Sequence, residues 1–402
     1  MQSPVQHDSR LVAWLSLAQL ISWGSVFYTF SLLLTPVEQE LGLSRSQSSL
    51  AFSLALLVEG LMAYPVGRWI DAGHERLVMT GGSLLAGVCL VLHARVSSVT
   101  GFYAVWAGLG AAMAAILYSP VFAVVTRRFP NDFRRAIIIM TFLGGLASTV
   151  FIPLTALLMA QWGWRHALLT LAGFHLLLCA PLHALTLRGA PARPAPVNAG
   201  DMPAPGTVLR LMHSAPFLLI AVFVILMMGV STALPAHMVS LLRESGLSER
   251  WSIAVPASIS AIQVLGRLLL FIFESRFDVH AANRLIPCLL PLGLIALLAA
   301  PLLGDRQIWL VLLFVLLYGM GNGMLTIVKG TAIAQYVSRD HVATLNGALG
   351  LPLALARAGA PLMMGLLWTQ QSAYSHALWL LLALSLVGVC ALMLAQRHAL
   401  TR

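Results

Sequence analysis

Runs of about twenty apolar residues recur along the whole of this chain, joined by short polar stretches, and about twenty residues is what an α-helix needs to cross a bilayer core. In lipid, backbone N–H and C=O groups find no water, so each crossing segment must satisfy them internally. Helices do this within one segment. Composition agrees with that demand. Hydrophobic residues make up 59% of the 402 and charged residues 9%, where soluble chains carry roughly 25% charged. The expected fold is an all-α membrane protein with twelve transmembrane helices in two six-helix pseudo-symmetric bundles.

The first six spans are read at 11–35, 48–67, 77–95, 101–126, 136–160 and 165–186. The last six are read at 214–242, 251–273, 284–303, 308–336, 342–368 and 374–395. Residues 1–186 then form an N-terminal bundle, 187–213 a Pro-, Ala- and Gly-rich cytoplasmic linker, and 214–402 a C-terminal bundle. The polar start, Met1 to Arg10, precedes an apolar run too long for the core of a cleavable leader, so that run is expected to span.

Orientation follows from the arginines. With the N-terminus in the cytoplasm, seventeen Arg and Lys fall on inside segments and six on outside ones. The positive-inside rule selects that placement. Both termini are expected in the cytoplasm of a cell whose membrane is crossed many times, a bacterial inner membrane. The net charge of +10 is topology charge, because no soluble domain is available to present a nucleic-acid patch. The four cysteines lie in apolar runs without metal-ligand spacing. No metal or other cofactor is expected. Nor is an enzyme: no nucleophile–base pair, metal cluster or phosphate loop is legible, and Gly-x-Gly in the fourth and tenth spans follows no strand.

The two halves resemble each other. Shifting the fourth span by 211 residues lays Gly108, Gly110, Met113 and Ile116 on Gly319, Gly321, Met324 and Ile327. Two parallel repeats of six helices are a transporter architecture with the substrate site near the midplane.

A charge within the hydrocarbon is costly and marks function. Four such residues are read: Glu59 in the second span, Arg267 in the eighth, Lys329 in the tenth and Arg357 in the eleventh. Three are basic, all in the second half, and a buried cation favours a paired acceptor. Arginine suits a carboxylate through its two-pronged donor geometry. Arg357, Arg267 and Lys329 are therefore the expected substrate-binding cations. Gln263, one turn before Arg267, and Tyr28, Tyr118 and Asn322 complete the expected cavity. Glu59, the sole intramembrane carboxylate in this reading, is the candidate proton carrier. The short cytoplasmic joints carry a second cluster, Gly67, Arg68, Asp71, Arg76 and Arg128, expected to form a gate with Asp71 as the acid of a charge lock.

These residues resemble the major facilitator superfamily. Gly67, Asp71 and Arg76 match its signature between the second and third spans, with Ala72 where a basic residue is usual and His74 in place of a glycine. Within it the chain looks nearest the monocarboxylate transporter and oxalate–formate antiporter neighbourhood. Arg128-Phe129 with Arg134-Arg135-Ala136, and Gly163-Trp164-Arg165, are similar to joints of those families. The resemblance implies that Arg267 corresponds to a substrate-contacting arginine, with Gln263 at a position that is usually acidic. It implies that Arg357 corresponds to a basic residue serving a dicarboxylate. Leu32 stands where monocarboxylate transporters have a lysine. Ala104 stands where many proton-coupled members carry arginine, and Gly144-Gly145 lacks the Gly-Pro pair of drug–proton antiporters.

The function expected is secondary active transport of a small solute, an organic anion such as a carboxylate, by alternating access. A proton or counter-solute would supply the energy. The lipid bilayer is the other partner, and a monomer is expected. The alternatives are a proton-coupled exporter of amphipathic or drug-like compounds and, in another class, a non-transporting membrane sensor.

Overall fold

The computed structural model describes residues 4–129, 133–189, 207–273, 278–338, 345–346 and 348–400. Among the described residues there is no strand, only helix and short joints. The helices are α1 (Pro4–Ser22), α2 (Phe30–Leu41), α3 (Arg45–Trp69), α4 (Glu75–His93), α5 (Val99–Ile116), α6 (Tyr118–Arg128), α7 (Phe133–Gly145), α8 (Ala147–Gly173), α9 (Ala180–Thr186), α10 (Thr207–Met212), α11 (Ala215–Glu244), α12 (Glu249–Phe273), α13 (Val279–Ala299), α14 (Gln307–Tyr336), α15 (Gly350–Leu367) and α16 (Ser375–Leu400). Three π-helical segments, Trp23–Tyr28, Ile70–His74 and Phe174–Cys179, and a 3-10 segment, Ala300–Arg306, interrupt them.

Ten stretches of the described residues are long and apolar enough to cross a membrane. Two of these, Ile139–Thr186 with 48 residues and His280–Tyr336 with 57, are more than twice the length of about 20 residues that one crossing requires. Glycines turn the chain inside both. Gly163 in α8 has φ 78 and ψ 163, and Gly304 in the 3-10 segment has φ 52 and ψ −123, conformations open to glycine and strained for other residues. Each long stretch is thus two crossings, and the expected twelve are accounted for. This is a multi-pass membrane protein.

Helix starts are written locally. Ser44 accepts from the Gln47 N–H while the Gln47 side chain accepts from the Ser44 N–H, a complete capping box ahead of α3. Ser98, Ser214 and Asp278 cap α5, α11 and α13 in the same way through their side-chain oxygens.

The fourth span departs from the unbroken helix read at 101–126. Leu117 is extended, with φ −80 and ψ −164, and separates α5 from α6. The cause is covalent. The Ile116 carbonyl would accept from residue 120 in a continuous helix, and residue 120 is proline, which has no N–H. The buried amide of Gln19 replaces that donor, with Nε2 2.6 Å from the Ile116 oxygen. The first span is also irregular. Its π-helical segment Trp23–Tyr28 is followed by Thr29, whose hydroxyl donates to the Gly24 carbonyl at 3.1 Å.

The chain divides into two compact units. The first comprises Met1–Pro194 with Pro235–Ser240 and Glu249–Ala257; the second comprises Ala195–Leu234, Leu241–Ser248 and Ser258–Arg402. Of the expected linker, residues 190–206 lie outside the described residues. In the first unit α5 packs along α3 and α4, and in the second α14 packs along α13.

Two paired features repeat at a spacing of 204 residues. Gly42 and Gly246 both have positive φ, 63 and 83, and the leucine after each donates back five residues, Leu43 to Glu38 and Leu247 to Leu242. Trp164 Nε1 donates to Glu40 at 3.2 Å, and Trp368 Nε1 donates to Glu244 at 2.7 Å; each bond bridges 124 residues. The shift of 211 read from the fourth and tenth spans is therefore not constant along the chain. The joint before α14, Ala300–Arg306, is two residues longer than the joint 94–98 before α5, and α14 starts 208 residues after α5.

Candidate functional site

Within the first unit, the broken fourth span and the π-helical part of the first span meet through aromatic rings. Tyr118 opens α6 immediately after the Leu117 break. Its ring lies 5.0 Å from Trp23 and is stacked on Phe122 at 5.2 Å. Trp23 lies 5.0 Å from Phe27, and Phe27 lies 5.3 Å from Tyr28. Tyr28 and Tyr118, named from sequence, thus sit at two points of one aromatic chain. Gly144 lets the Tyr118 hydroxyl approach, since a Cβ there would lie 2.6 Å from it. Irregular backbone at membrane depth is tolerated where protein buries it or where it lines a cavity, and π segments gather at functional sites. Trp23 was missed from sequence; the signal available was Pro120, which marks the break beside it.

Glu59 is half-buried on α3. One turn before it, Ala55 meets the fifth helix so closely that a Cβ on Gly110 would lie 2.2 Å from the Ala55 carbonyl oxygen. Backbone contact of this kind needs a glycine.

The expected gate is partly described. Asp71 lies in the π-helical segment Ile70–His74, and its side chain lies outside the described residues, as do those of Arg127, Arg134 and Arg135. Arg128 pairs with Glu75, a fully buried carboxylate one turn after Asp71, and its Nη2 also donates to the Arg188 carbonyl at 3.3 Å. Glu75 is the acid that sequence reasoning passed over. Arg76 Nε donates to the Ala184 carbonyl at 2.7 Å. Arg68 is exposed and lies 5.9 Å from the Tyr64 ring centre, and Gly67 has open space around it. A largely apolar groove of about 430 Å³ opens nearby between α3, α4 and α5, lined by Met62, Trp69, His74 and Leu77 among others. It carries none of the candidate site residues.

In the second unit, α12 and α14 cross at Gly323. A Cβ there would lie 2.2 Å from the Gln263 carbonyl oxygen, and one on Gly266 would lie 2.9 Å from that of Met320. The crossing brings three sequence-named residues together. Gln263 supplies the backbone that Gly323 meets. Arg267, half-buried, donates from Nε to the Gly323 carbonyl at 3.1 Å. Asn322, next to Gly323, accepts from the Ser231 hydroxyl at 2.5 Å. The Tyr318 hydroxyl donates to the Ser231 carbonyl at 3.3 Å, tying α11 to the same place. Ser231 was also missed. The second unit therefore holds one arginine at the glycine crossing, with half-buried Lys329 further along α14 and half-buried Arg357 on α15.

The sequence profile of the Major Facilitator Superfamily matches residues 15–361. Over 123 residues the chain is 36% identical to monocarboxylate transporter 12 of Rattus norvegicus, covering 29% of this chain and 24% of that protein. It is 36% identical over 117 residues to monocarboxylate transporter 12 of Homo sapiens, covering 28% and 22%. The chain thus spans about a quarter of the length of the curated relatives it matches. Among solved structures, it is similar to a bacterial homolog of the human lysosomal transporter Spinster in an inward-facing, occupied conformation. The TM-score is 0.78 at 16% identity, over 99% of this chain and 98% of that one. It is also similar to the nucleoside transporter NupG, with TM-score 0.72 at 14% identity over 96% and 98%. At such identities the likeness is one of fold.

Proposed function

This chain belongs to the Major Facilitator Superfamily, and from that premise we propose that it carries a small organic anion, a carboxylate, across a cell membrane by alternating access. The family makes it a transporter and not an enzyme. The substrate class rests on one observation: Arg267, Lys329 and Arg357, three cations on membrane-spanning helices of the second unit, are all half-buried. Like charges in a low-dielectric setting repel strongly. An anion between them turns that repulsion into attraction, and arginine offers it two parallel donors. Arg267, Gln263 and Asn322 at the α12–α14 crossing supply further polar contacts within the second unit. The partial likeness to monocarboxylate transporter 12 supports the same class.

Glu59 is the proposed proton carrier, and the bundles 1–186 and 214–402 are the proposed moving bodies. Gly67, Arg68, Asp71, Arg76 and Arg128 are proposed to form the cytoplasmic gate, now with Glu75 as a second acid. The bias of arginines toward one side supports cytoplasmic termini, and the membrane is proposed to be a bacterial inner membrane.

The test is uptake of radiolabelled mono- and dicarboxylates into proteoliposomes. Arg357→Gln and Lys329→Gln are expected to cut initial uptake at least tenfold while leaving the melting temperature within a few degrees. Undiminished uptake in both variants overturns the anion assignment. Uptake that stays acid-driven in Glu59→Gln removes Glu59 from coupling.

A further inference from the structure

At the end of the second unit where α13 begins and α14 and α16 finish, one hydroxyl collects three polar partners. Tyr336, buried at the end of α14, has its hydroxyl 3.1 Å from His280 Nδ1, 3.0 Å from Asn283 Nδ2 and 3.1 Å from Gln396 Nε2. Asn283 Nδ2 also donates to Gln335 Oε1 at 2.6 Å, and Arg284 Nε donates to Gln396 Oε1 at 2.9 Å.

The donors and acceptors can be counted. A phenol oxygen has one hydrogen to give and two lone pairs. Arginine only donates, so Arg284 holds the Gln396 oxygen on its own side and turns the Gln396 amide nitrogen to Tyr336. Asn283 also presents its amide nitrogen. Both lone pairs of Tyr336 are then used, and its single hydrogen goes to His280 Nδ1. With Asn283 and Gln396 so oriented, that nitrogen is bare.

We infer that His280 is a proton-binding site whose occupancy is transmitted through Tyr336 and Asn283 to Gln335. When a proton from solvent binds Nδ1, the new N–H donates to the Tyr336 oxygen. The Tyr336 hydrogen then needs another acceptor. Gln396 is held by Arg284 and offers none. Asn283 can offer one by rotating its amide so that Oδ1 faces Tyr336. The same oxygen then faces Gln335, whose amide must rotate in turn to give Nε2–H. No covalent bond other than the one to the incoming proton changes. Gln335 also lines a cavity of about 380 Å³ with Ser214, Tyr336 and Ser338, so protonation reverses the amide polarity at the wall of that cavity.

Among the described residues, other titratable or charged groups stand on the elements that meet His280 or the cavity, with Arg210 and His213 flanking Leu211 and Ser214 of its wall. Asp278 caps α13 by accepting from the Ala281 N–H at 2.9 Å. Arg284 stands one turn on along α13, held by Gln396. On α14 the group is Tyr336 itself. On α16, exposed Arg397 and His398 follow Gln396.

The experiment is ¹⁵N NMR of the full chain in lipid nanodiscs, with labelled histidine and with labelled side-chain amides. Resonances are assigned by difference from His280→Asn, Asn283→Ser and Gln335→Ala proteins. The expected result at pH 8.5 is a bare Nδ1 and a protonated Nε2 on His280. On acidification His280 becomes doubly protonated, and the Asn283 and Gln335 amide signals shift with the same midpoint. In His280→Asn both amide shifts disappear. In Tyr336→Phe His280 still titrates while the amides no longer follow it. A hydrogen on Nδ1 at pH 8.5 overturns the inference, as do amide signals that stay still while His280 titrates or that keep moving in His280→Asn. The last two outcomes need only proteins that keep Tyr336, so a folding defect in Tyr336→Phe leaves the test intact.

Discussion

Helices α3 and α12 each run for 25 residues, and each follows a Gly-Leu-Ser joint whose glycine has positive φ. Each is then met by a glycine from the helix two spans further on. In the first unit the closest approach is Gly110 against Ala55, the eleventh residue of α3. In the second it is Gly323 against Gln263, the fifteenth residue of α12. The crossing sits about one turn deeper in the second unit. Counted from the helix start, Glu59 stands where Gln263 stands; counted from the crossing, it stands where Arg267 stands. The two units thus place an acid and a base one turn beyond equivalent contacts. The lesson is that a shared helix start does not set which residue lies at the crossing. The partner's glycines do: α14 carries the run Gly319, Gly321 and Gly323, where α5 carries only the pair Gly108 and Gly110 at the corresponding place.

The largest effect that would break this comparison is at the crossings. Gly110→Leu and Gly323→Leu both drive a side chain into backbone 2.2 Å away, an overpacking cost at or above about 3 kcal/mol. Both are expected to abolish the monodisperse peak in fluorescence-detected size exclusion. Gly173→Ala and Gly330→Ala, which meet nothing within 4 Å, are expected to leave it unchanged. If Gly323→Leu alone is tolerated, the second crossing is not equivalent to the first. Next comes Arg128→Ala, which removes the ion-pair partner of the fully buried Glu75 and is expected to cost about 3–5 kcal/mol. Arg128→Ala with Glu75→Gln should recover much of the lost melting temperature, because no charge is then left buried. Smaller is the penalty for Gly42→Ala and Gly246→Ala, about 1–2 kcal/mol each, equal in the two units if the joints are equivalent. Smallest are Trp164→Phe and Trp368→Phe, each losing one hydrogen bond to an exposed carboxylate and about 0.5–1 kcal/mol. A clear difference in melting temperature between these last two would mark where the repeat has diverged.

Much of the fold was legible because its cause is local. Apolar runs, capping serines and turning glycines each act over a few residues. The placement of Arg267, Gln263 and Asn322 near one another was partly legible, since Gln263 and Arg267 share a helix face. The role of Ser231 as the Asn322 partner was not, because 91 residues separate them. Nor was Glu75 as the partner of Arg128, 53 residues away, where Asp71 offered the more familiar acid. The break in the fourth span was written in Pro120, but its repair by Gln19, 97 residues earlier, was not.

By itself the sequence determined that this chain lives in a bilayer, that it crosses it as helices, and that its charges within the hydrocarbon are few and mostly basic. Those properties follow from transfer free energy and from backbone hydrogen bonding, which depend on residue type and on neighbours within a turn or two. The tertiary structure alone decided which of those charges meet. It put Arg267 on the Gly323 carbonyl, Arg128 on Glu75, and His280 on the Tyr336 hydroxyl. Such meetings depend on where two helices touch, and a shift of one turn along either helix exchanges one residue for another at the same point in space.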